Sequence, residues 1–350
     1  MIHLSELGFQ PFFANQFDRF DRPDLVPARI AADGPGIYHL LGCRTTLGEV
    51  SGRLRQRARL AVGDWVAVDD RHDRAVIHHL LDRRTLMQRR AADSDTDVQV
   101  IAANLDVVFV VTSANRDFNP RRIERYLTAV WESGARPVVI LNKIDLVSES
   151  APLIAALEGV ALGVPVLPVS AALGTGLESL RQAIGPGLTV GFVGSSGVGK
   201  SSLVNRLLGE ELQVVNAIRE DDARGRHTTT RRELRLLPGG GLLLDTPGMR
   251  ELGLTDDGSG LAATFADIEA AAEGCRFRDC RHEGEPGCAV EEALVSGEID
   301  HDRWTNYRKL QREIAAAEAR RDPVLAAEQR RRWKVINKSL RDHPKLSHQR

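Results

Sequence analysis

No stretch of the chain approaches the roughly 18 consecutive apolar residues that a membrane-spanning helix requires, so a helical membrane bundle is excluded. Aromatic side chains make up 5% of the residues, which argues against a broad surface for stacking nucleobases. Cysteine is scarce, with four in 350 residues, too few for a disulfide scaffold. An excess of either charge is missing too. The 47 basic and 48 acidic residues leave a formal charge of −1, so no single-sign field covers the whole molecule. The opening residues contain neither a basic n-region nor an apolar h-region. No signal peptide is therefore expected, and the expected address is the cytoplasm.

What is present fits a globular chain. Hydrophobic residues are 42% and charged residues 27%, and the length suggests two or three domains at about 150 residues each. Charge is unevenly spread: residues 301–350 hold 14 Lys and Arg against 6 Asp and Glu. This tail is basic enough to be disordered in isolation or to bind RNA.

Residues 1–35 are mixed and punctuated by proline, and read as a partly ordered extension. From Gly36 to Arg84, short β-like runs broken by Gly and Asp predict a small barrel of the OB type, placed over residues 36–90. Within it Arg53, Arg55, Arg57 and Arg59 recur at every second position. On a strand they would line one face. That face is either simply solvated or a surface tracking the phosphates of RNA. From about Asp97, apolar runs rich in β-branched residues alternate with helical stretches. Such alternation predicts a mostly parallel sheet with helices on both faces and a ligand at the strands' carboxyl ends. After Leu254 helical patterns take over.

The strongest chemical signal is Gly194-Ser195-Ser196-Gly197-Val198-Gly199-Lys200-Ser201, which fits G-x-x-x-x-G-K-[ST] between an apolar strand and a helix. Its glycines let backbone N–H groups surround phosphate oxygens, and the helix start, with Ser202, adds its dipole. Lys200 is expected on the β- and γ-phosphates and the Ser201 hydroxyl on Mg²⁺. Downstream, Asp245-Thr246-Pro247-Gly248 ends an apolar strand. Asp245 is expected to hold Mg²⁺ through water, and the Gly248 amide to meet the γ-phosphate. Upstream, Asn142-Lys143-Ile144-Asp145 also ends a strand. The Asp145 carboxylate suits the guanine N1–H and 2-amino donors, a pair that adenine lacks. Asn142 braces the loop and the Lys143 stem covers the base. Ser170-Ala171 offers a backbone amide to the guanine 6-oxo group.

These four elements resemble the G1, G3, G4 and G5 motifs of the GTPase superfamily, in permuted order. The pair at 142–145 and 170–171 precedes the pair at 194–201 and 245–248. A further cluster places Cys275, Cys280, His282 and Cys288 within 14 residues. Thiolates and imidazole suit one tetrahedral, structural Zn²⁺. Permuted motifs, a barrel ahead of them and this cluster behind them together resemble the ribosome small-subunit-dependent GTPase A family (RsgA), over about residues 35–340. The resemblance implies an α/β fold: a circularly permuted P-loop GTPase domain over 91–255, with the OB-like barrel before it. A helical zinc-binding domain with a basic tail follows over 256–350. It also implies a monomeric, cytoplasmic enzyme that hydrolyses GTP to GDP, binds the 30S subunit and its 16S rRNA, is stimulated by it, and acts late in its maturation. Two other readings stand beside it: an RNA-binding assembly factor that uses GTP mainly as a ligand, and a nucleotide-dependent DNA-binding protein.

One part of the machinery is missing. Ras-like enzymes orient the attacking water with a glutamine after D-x-x-G. Here that position is Met249, so slow intrinsic hydrolysis is expected. His227, in Arg226-His227-Thr228-Thr229-Thr230, is the replacement candidate, or else a histidine facing RNA or solvent. One of the three threonines, with Thr230 the candidate, is expected to close on Mg²⁺ and the γ-phosphate. Because the chain leaves the nucleotide domain just after Gly248, loss of γ-phosphate contacts is expected to reorient the C-terminal domain.

Overall fold

The computed structural model describes residues 2–34, 36–90, 98–116, 118–209, 232–245 and 258–321. The first unit is a closed barrel of β1 (Val26–Gly34), β2 (Ile37–Leu41), β3 (Leu47–Val50), β4 (Trp65–Asp69) and β5 (Ala75–Leu80). The strand order is β1-β2-β3-β5-β4, and β4 returns to β1. Only β3 and β5 run parallel. A core of Ala28, Ile30, Leu40, Val66, Val68 and Ile77 fills it.

Two expectations fail here. The barrel begins at Val26, so the boundary drawn at residue 36 falls inside it, and the stretch read as a partly ordered extension holds helix Pro11–Phe17 and all of β1. The reason is Arg29, which sits where the apolar alternation of a strand should continue. It is 1% exposed, and its guanidinium donates to the carbonyls of Leu7, Gly63 and Asn104. Burial draws Arg29 down to about 10, while Asp106 and Asp64 oppose the shift. The preceding helix, Pro11–Phe17, opens with proline at its first position and lays Phe13 against Trp65 at 5.9 Å. Secondly, the four alternating arginines do not form a strand. Gly52–Arg55 is a single helical turn. Leu54 and Ala58, spaced as one helix face, pack on the barrel core.

A hairpin of β6 (Leu86–Arg90) and β7 (Val98–Ala103) leads to the second unit. Its sheet comprises β8 (Val107–Ser113), β9 (Arg136–Asn142), β10 (Val166–Pro168), β11 (Thr189–Val193), β12 (Glu233–Leu236) and β13 (Leu242–Asp245). The order is β10-β9-β8-β11-β13-β12, parallel except for β12. The inner strands β8, β9, β11 and β13 are buried on both faces, as covered parallel sheets are. Val108, Val110, Val139 and Leu141 point to one core, whereas Val107, Phe109, Val111 and Ile140 point to the other. Each such side chain contributes about 1.5–3 kcal/mol by leaving water. One bridge, Ala32 to Glu233, joins this sheet to the barrel.

The C-terminal unit is helical: Ser259–Thr264, Ala266–Glu273, Ala289–Ser296 and His301–Arg321. It docks on helix Pro120–Glu132 of the nucleotide unit. A Cβ on Gly260 would lie 2.0 Å from the Thr128 carbonyl oxygen, so only glycine allows this approach. Arg303, 3% exposed, donates to Glu124 Oε1 at 2.7 Å and to both oxygens of Asp267 at 2.7 and 2.8 Å. Asn306 Nδ2 donates to Glu124 Oε2 at 2.6 Å. The connection at 246–257 lies outside the described residues. Among the described residues no helix is long and apolar enough to cross a membrane.

Candidate functional site

The phosphate loop leaves β11 and ends where helix Lys200–Leu208 begins, so amides of the first turn face the loop. Two glycines are indispensable. Gly194 has φ 141°, and a Cβ there would lie 2.3 Å from the Val111 carbonyl oxygen. Gly199 has φ 96°, and a Cβ would lie 2.3 Å from Asn142 Nδ2. Lys200 Nζ donates to the carbonyls of Gly194 and Ser195, both at 2.6 Å, which holds the ammonium across the loop. Ser196, Gly197, Ser201 and Ser202 are exposed along the loop and first turn.

Residues from much earlier in the chain close this loop. Asn142, 1% exposed at the end of β9, donates from Nδ2 to the Val198 carbonyl at 2.9 Å. Its Oδ1 accepts from the Ala171 amide at 3.1 Å. One buried carboxamide thus ties three stretches of chain together. Lys143 turns in the left-handed region, φ 61°, and its Nζ donates to the Gly197 carbonyl at 2.7 Å. That turn carries Asp145 into position, where Oδ1 accepts a short hydrogen bond from Ser170 Oγ. Between these elements lies a cavity of about 730 Å³, lined among others by Lys143, Asp145, Ala171, Ala172, Gly199 and Ser202. It has the size of a nucleoside site and one ionisable carboxylate on its wall.

The structure therefore brings together Asn142, Lys143, Asp145, Ser170 and Ala171 with Gly194–Ser202. Asp245 ends β13, which pairs in parallel with β11, the strand feeding the phosphate loop. His227, Thr228, Thr229, Thr230, Thr246, Gly248 and Met249 lie outside the described residues. Two arginines were missed from sequence. Arg122 Nη1 donates to Ser195 Oγ at 2.8 Å, and Arg206 reaches the carbonyls of Ala171 and Ala172. A single arginine on a helix carries no local signal that its partner lies on a distant loop.

The Cys/His cluster is assembled as expected. One ligand atom each from Cys275, Cys280, His282 and Cys288 lies within 4.8 Å of the others. His282 Nδ1 is 3.5 Å from Cys275 Sγ and 3.3 Å from Cys288 Sγ. Tetrahedral bonds of metal-ligand length separate ligand atoms by about 3.3–3.8 Å, so the donor set fits one ion. His282 adopts φ 58°, and Cys288 caps helix Ala289–Ser296 by accepting the Glu291 amide at 3.4 Å. Glu285 stabilises the loop between ligands. Its carboxylate accepts the amides of Glu283 and Arg281 at 2.7 and 3.0 Å, which hold it down to about 2. Trp304 from the long C-terminal helix meets the His282 ring edge-on at 5.8 Å.

Fold and site together define a circularly permuted GTPase. The loops at 142–145 and 170–171 precede the phosphate loop in the chain, yet share one cavity with it. Residues 80–255 match the profile of the family described as RsgA GTPase. The small ribosomal subunit biogenesis GTPase RsgA of Opitutus terrae is 45% identical over 360 residues, covering 98% of each chain. RsgA 1 of Listeria innocua is 47% identical over 285 residues, 81% of each. YjeQ from Thermotoga maritima aligns in structure with TM-score 0.63 and 27% identity, over 83% of this chain and 98% of that one. YloQ, a circularly permuted GTPase, aligns with TM-score 0.61 and 25% identity, over 83% of this chain and 95% of that one. The chain belongs to the RsgA GTPase family and is a GTP-hydrolysing enzyme.

Proposed function

We propose that this enzyme serves small-subunit biogenesis in the cytoplasm as a monomer. It binds the 30S particle through its 16S rRNA, hydrolyses GTP when so bound, and acts late in maturation. The observation that carries the reading is the junction at Asn142. Its two hydrogen bonds hold the phosphate loop and the Ala171 loop at one cavity. Curated relatives of near full-length coverage bear the name of small-subunit biogenesis GTPases.

In this reading Lys200 Nζ moves from loop carbonyls toward the β- and γ-phosphate oxygens, while loop and helix amides bind the rest of the anion. Ser201 and Asp245 would hold Mg²⁺, Asp245 through water, with a switch threonine such as Thr230 completing the set. The ion would supply positive charge that neutralises the β- and γ-phosphate oxygens. Asp145 accepts the guanine N1–H and 2-amino protons, the Lys143 stem covers the base, and the Gly248 amide meets the γ-phosphate. His227 orients the attacking water in place of the absent glutamine. Three thiolates and one imidazole leave no open position, so Zn²⁺ at Cys275, Cys280, His282 and Cys288 is structural.

The decisive experiment is GTP turnover with and without 30S subunits. Little hydrolysis alone and a large rise on 30S supports the switch enzyme, whereas tight binding with no rise on the subunit favours the ligand-only assembly factor. Single-turnover hydrolysis by His227→Ala on 30S tests the water-orienting role, and an unchanged rate removes it. Removal of zinc by a strong chelator should lower amide protection across residues 275–296 while leaving GDP affinity within about twofold, because metal binding is coupled to local folding. Unchanged protection after verified metal loss would contradict a structural ion.

A further inference from the structure

The first turn of helix Pro120–Glu132 lies beside the phosphate loop. Asn119 caps it, with Oδ1 accepting the Arg122 amide at 3.2 Å. From there Arg122 Nη1 donates to Ser195 Oγ at 2.8 Å, across 73 residues of sequence. The carbonyl of the same Ser195 accepts Lys200 Nζ at 2.6 Å. One residue of the loop thus seats two cations, one on its main chain and one on its side chain.

Lys200 belongs to the loop's own signature, and its ammonium marks the end of the loop that faces the β- and γ-phosphates. Arg122 borders that same end, because it is held by the same residue. Its neighbours on the helix have carboxylate partners: Arg121 pairs with Glu124 and Asp300, and Arg125 pairs with Glu313 at 2.7 Å. Arg122 is exposed, and among the described residues no carboxylate pairs with it. A neutral hydroxyl leaves its charge uncompensated. The C-terminal unit keeps this turn in place, since Asn306 Nδ2 donates to the Arg121 carbonyl at 3.3 Å and to Glu124 Oε2 at 2.6 Å.

We propose that Arg122 is a second fixed cation at the γ-phosphate end of the site and sets a preference for GTP over GDP. The proposal rests on the nucleotide reading above and goes beyond it in one respect. The loop signature binds the phosphates that GDP and GTP share, whereas Arg122 acts on the charge that only the γ-phosphate brings. An uncompensated charge a few ångströms from another in a partly hydrated site changes a binding constant by about fivefold. Hydrolysis and loss of the γ-phosphate would remove that contribution.

The test is the ratio of dissociation constants for GDP and for the β,γ-imido analogue of GTP, both with Mg²⁺, measured on the full chain. Arg122→Met keeps the stem and removes the charge. It should weaken the analogue by about fivefold and GDP by less than about twofold. Arg122→Glu reverses the charge and should weaken the analogue by about 25-fold, the square of the first effect. Arg122→Lys keeps the charge and should keep most of the preference. At about 1 M salt, where charges are screened beyond about 3 Å, the differences between variants should shrink to less than about twofold. Equal losses for GDP and the analogue would overturn the proposal and leave Arg122 as a brace of the loop. So would unchanged ratios, or a lysine variant as weak as the methionine one. Thermal melting checks that each variant is folded, and if Arg122→Met is not, the ratios for Arg122→Glu and Arg122→Lys decide by the same criterion. Wild-type protein that binds neither nucleotide would sink the reading of the site itself, an outcome separate from any ratio among the variants.

Discussion

Asp145→Asn should lose GDP by about 10³-fold or more and gain XDP in its place. The carboxylate offers acceptors to both guanine donors. A carboxamide keeps one acceptor for N1–H but turns an N–H toward the 2-amino group, donor against donor. Xanthine carries a 2-oxo group and matches that N–H. The scaffold around the residue is set by backbone and neighbours: the left-handed Lys143 and the Ser170 hydroxyl hold the side chain. Replacement should therefore change selectivity more than fold. Calorimetry with GDP and XDP on both proteins reads the result directly, and an unchanged GDP to XDP ratio would remove Asp145 from base recognition.

The second large effect is on stability. Arg303→Met should cost about 3 kcal/mol, because it takes the deeply buried half of an ion pair from a carboxylate with no solvent exposure. Glu124 would keep Arg121 and Asn306 as partners, at 2.9 and 2.6 Å, and lose its most deeply buried cation. The effect carries a pH signature. Burial already raises the Glu124 carboxyl above its ordinary value, with Asn306, Arg121 and Arg303 opposing. Loss of Arg303 raises it further, so the folded state holds its proton more tightly than the unfolded chain. Stability of the variant must then fall as pH rises through the folded value, and its deficit must shrink on acidification toward the carboxylate range. Denaturant melts at several pH values check this. Glu124→Gln combined with Arg303→Met should recover much of the loss, since the buried, under-compensated charge is then gone.

Much of the site is visible in the sequence because its parts are local. Gly194–Ser201 needs only eight neighbouring residues to shape a phosphate loop, and Cys275–Cys288 spans a single loop. The strand ends before Asn142 and Asp245 announce themselves as apolar runs. What stays hidden is the bond between distant parts. The Asn142 to Val198 contact joins residues 56 apart, and nothing near either one specifies it. Charged side chains mislead in both directions. Arg29 sits buried in β1 and erases the alternation that would have revealed the strand, whereas Arg53 to Arg59 imitate an alternation that the chain does not use. Arg206 and Arg303 read as solvated helix residues. Their partners are backbone carbonyls and carboxylates elsewhere, chosen by packing rather than spacing.

The margins of the nucleotide sheet have a consequence of their own. A strand with one unpaired side is a template on which another molecule can lay down its own chain. At β10 that hazard is blunted by brevity, three residues closing on Pro168, which has no N–H to share. At β12 it is blunted by the barrel, whose β1 meets it at Ala32 and Glu233. The barrel is thus a guard against self-templating as well as a separate module. A fragment that starts after it would bare β12 as a second open edge, guarded then only by its short length and by Glu233 and Arg235.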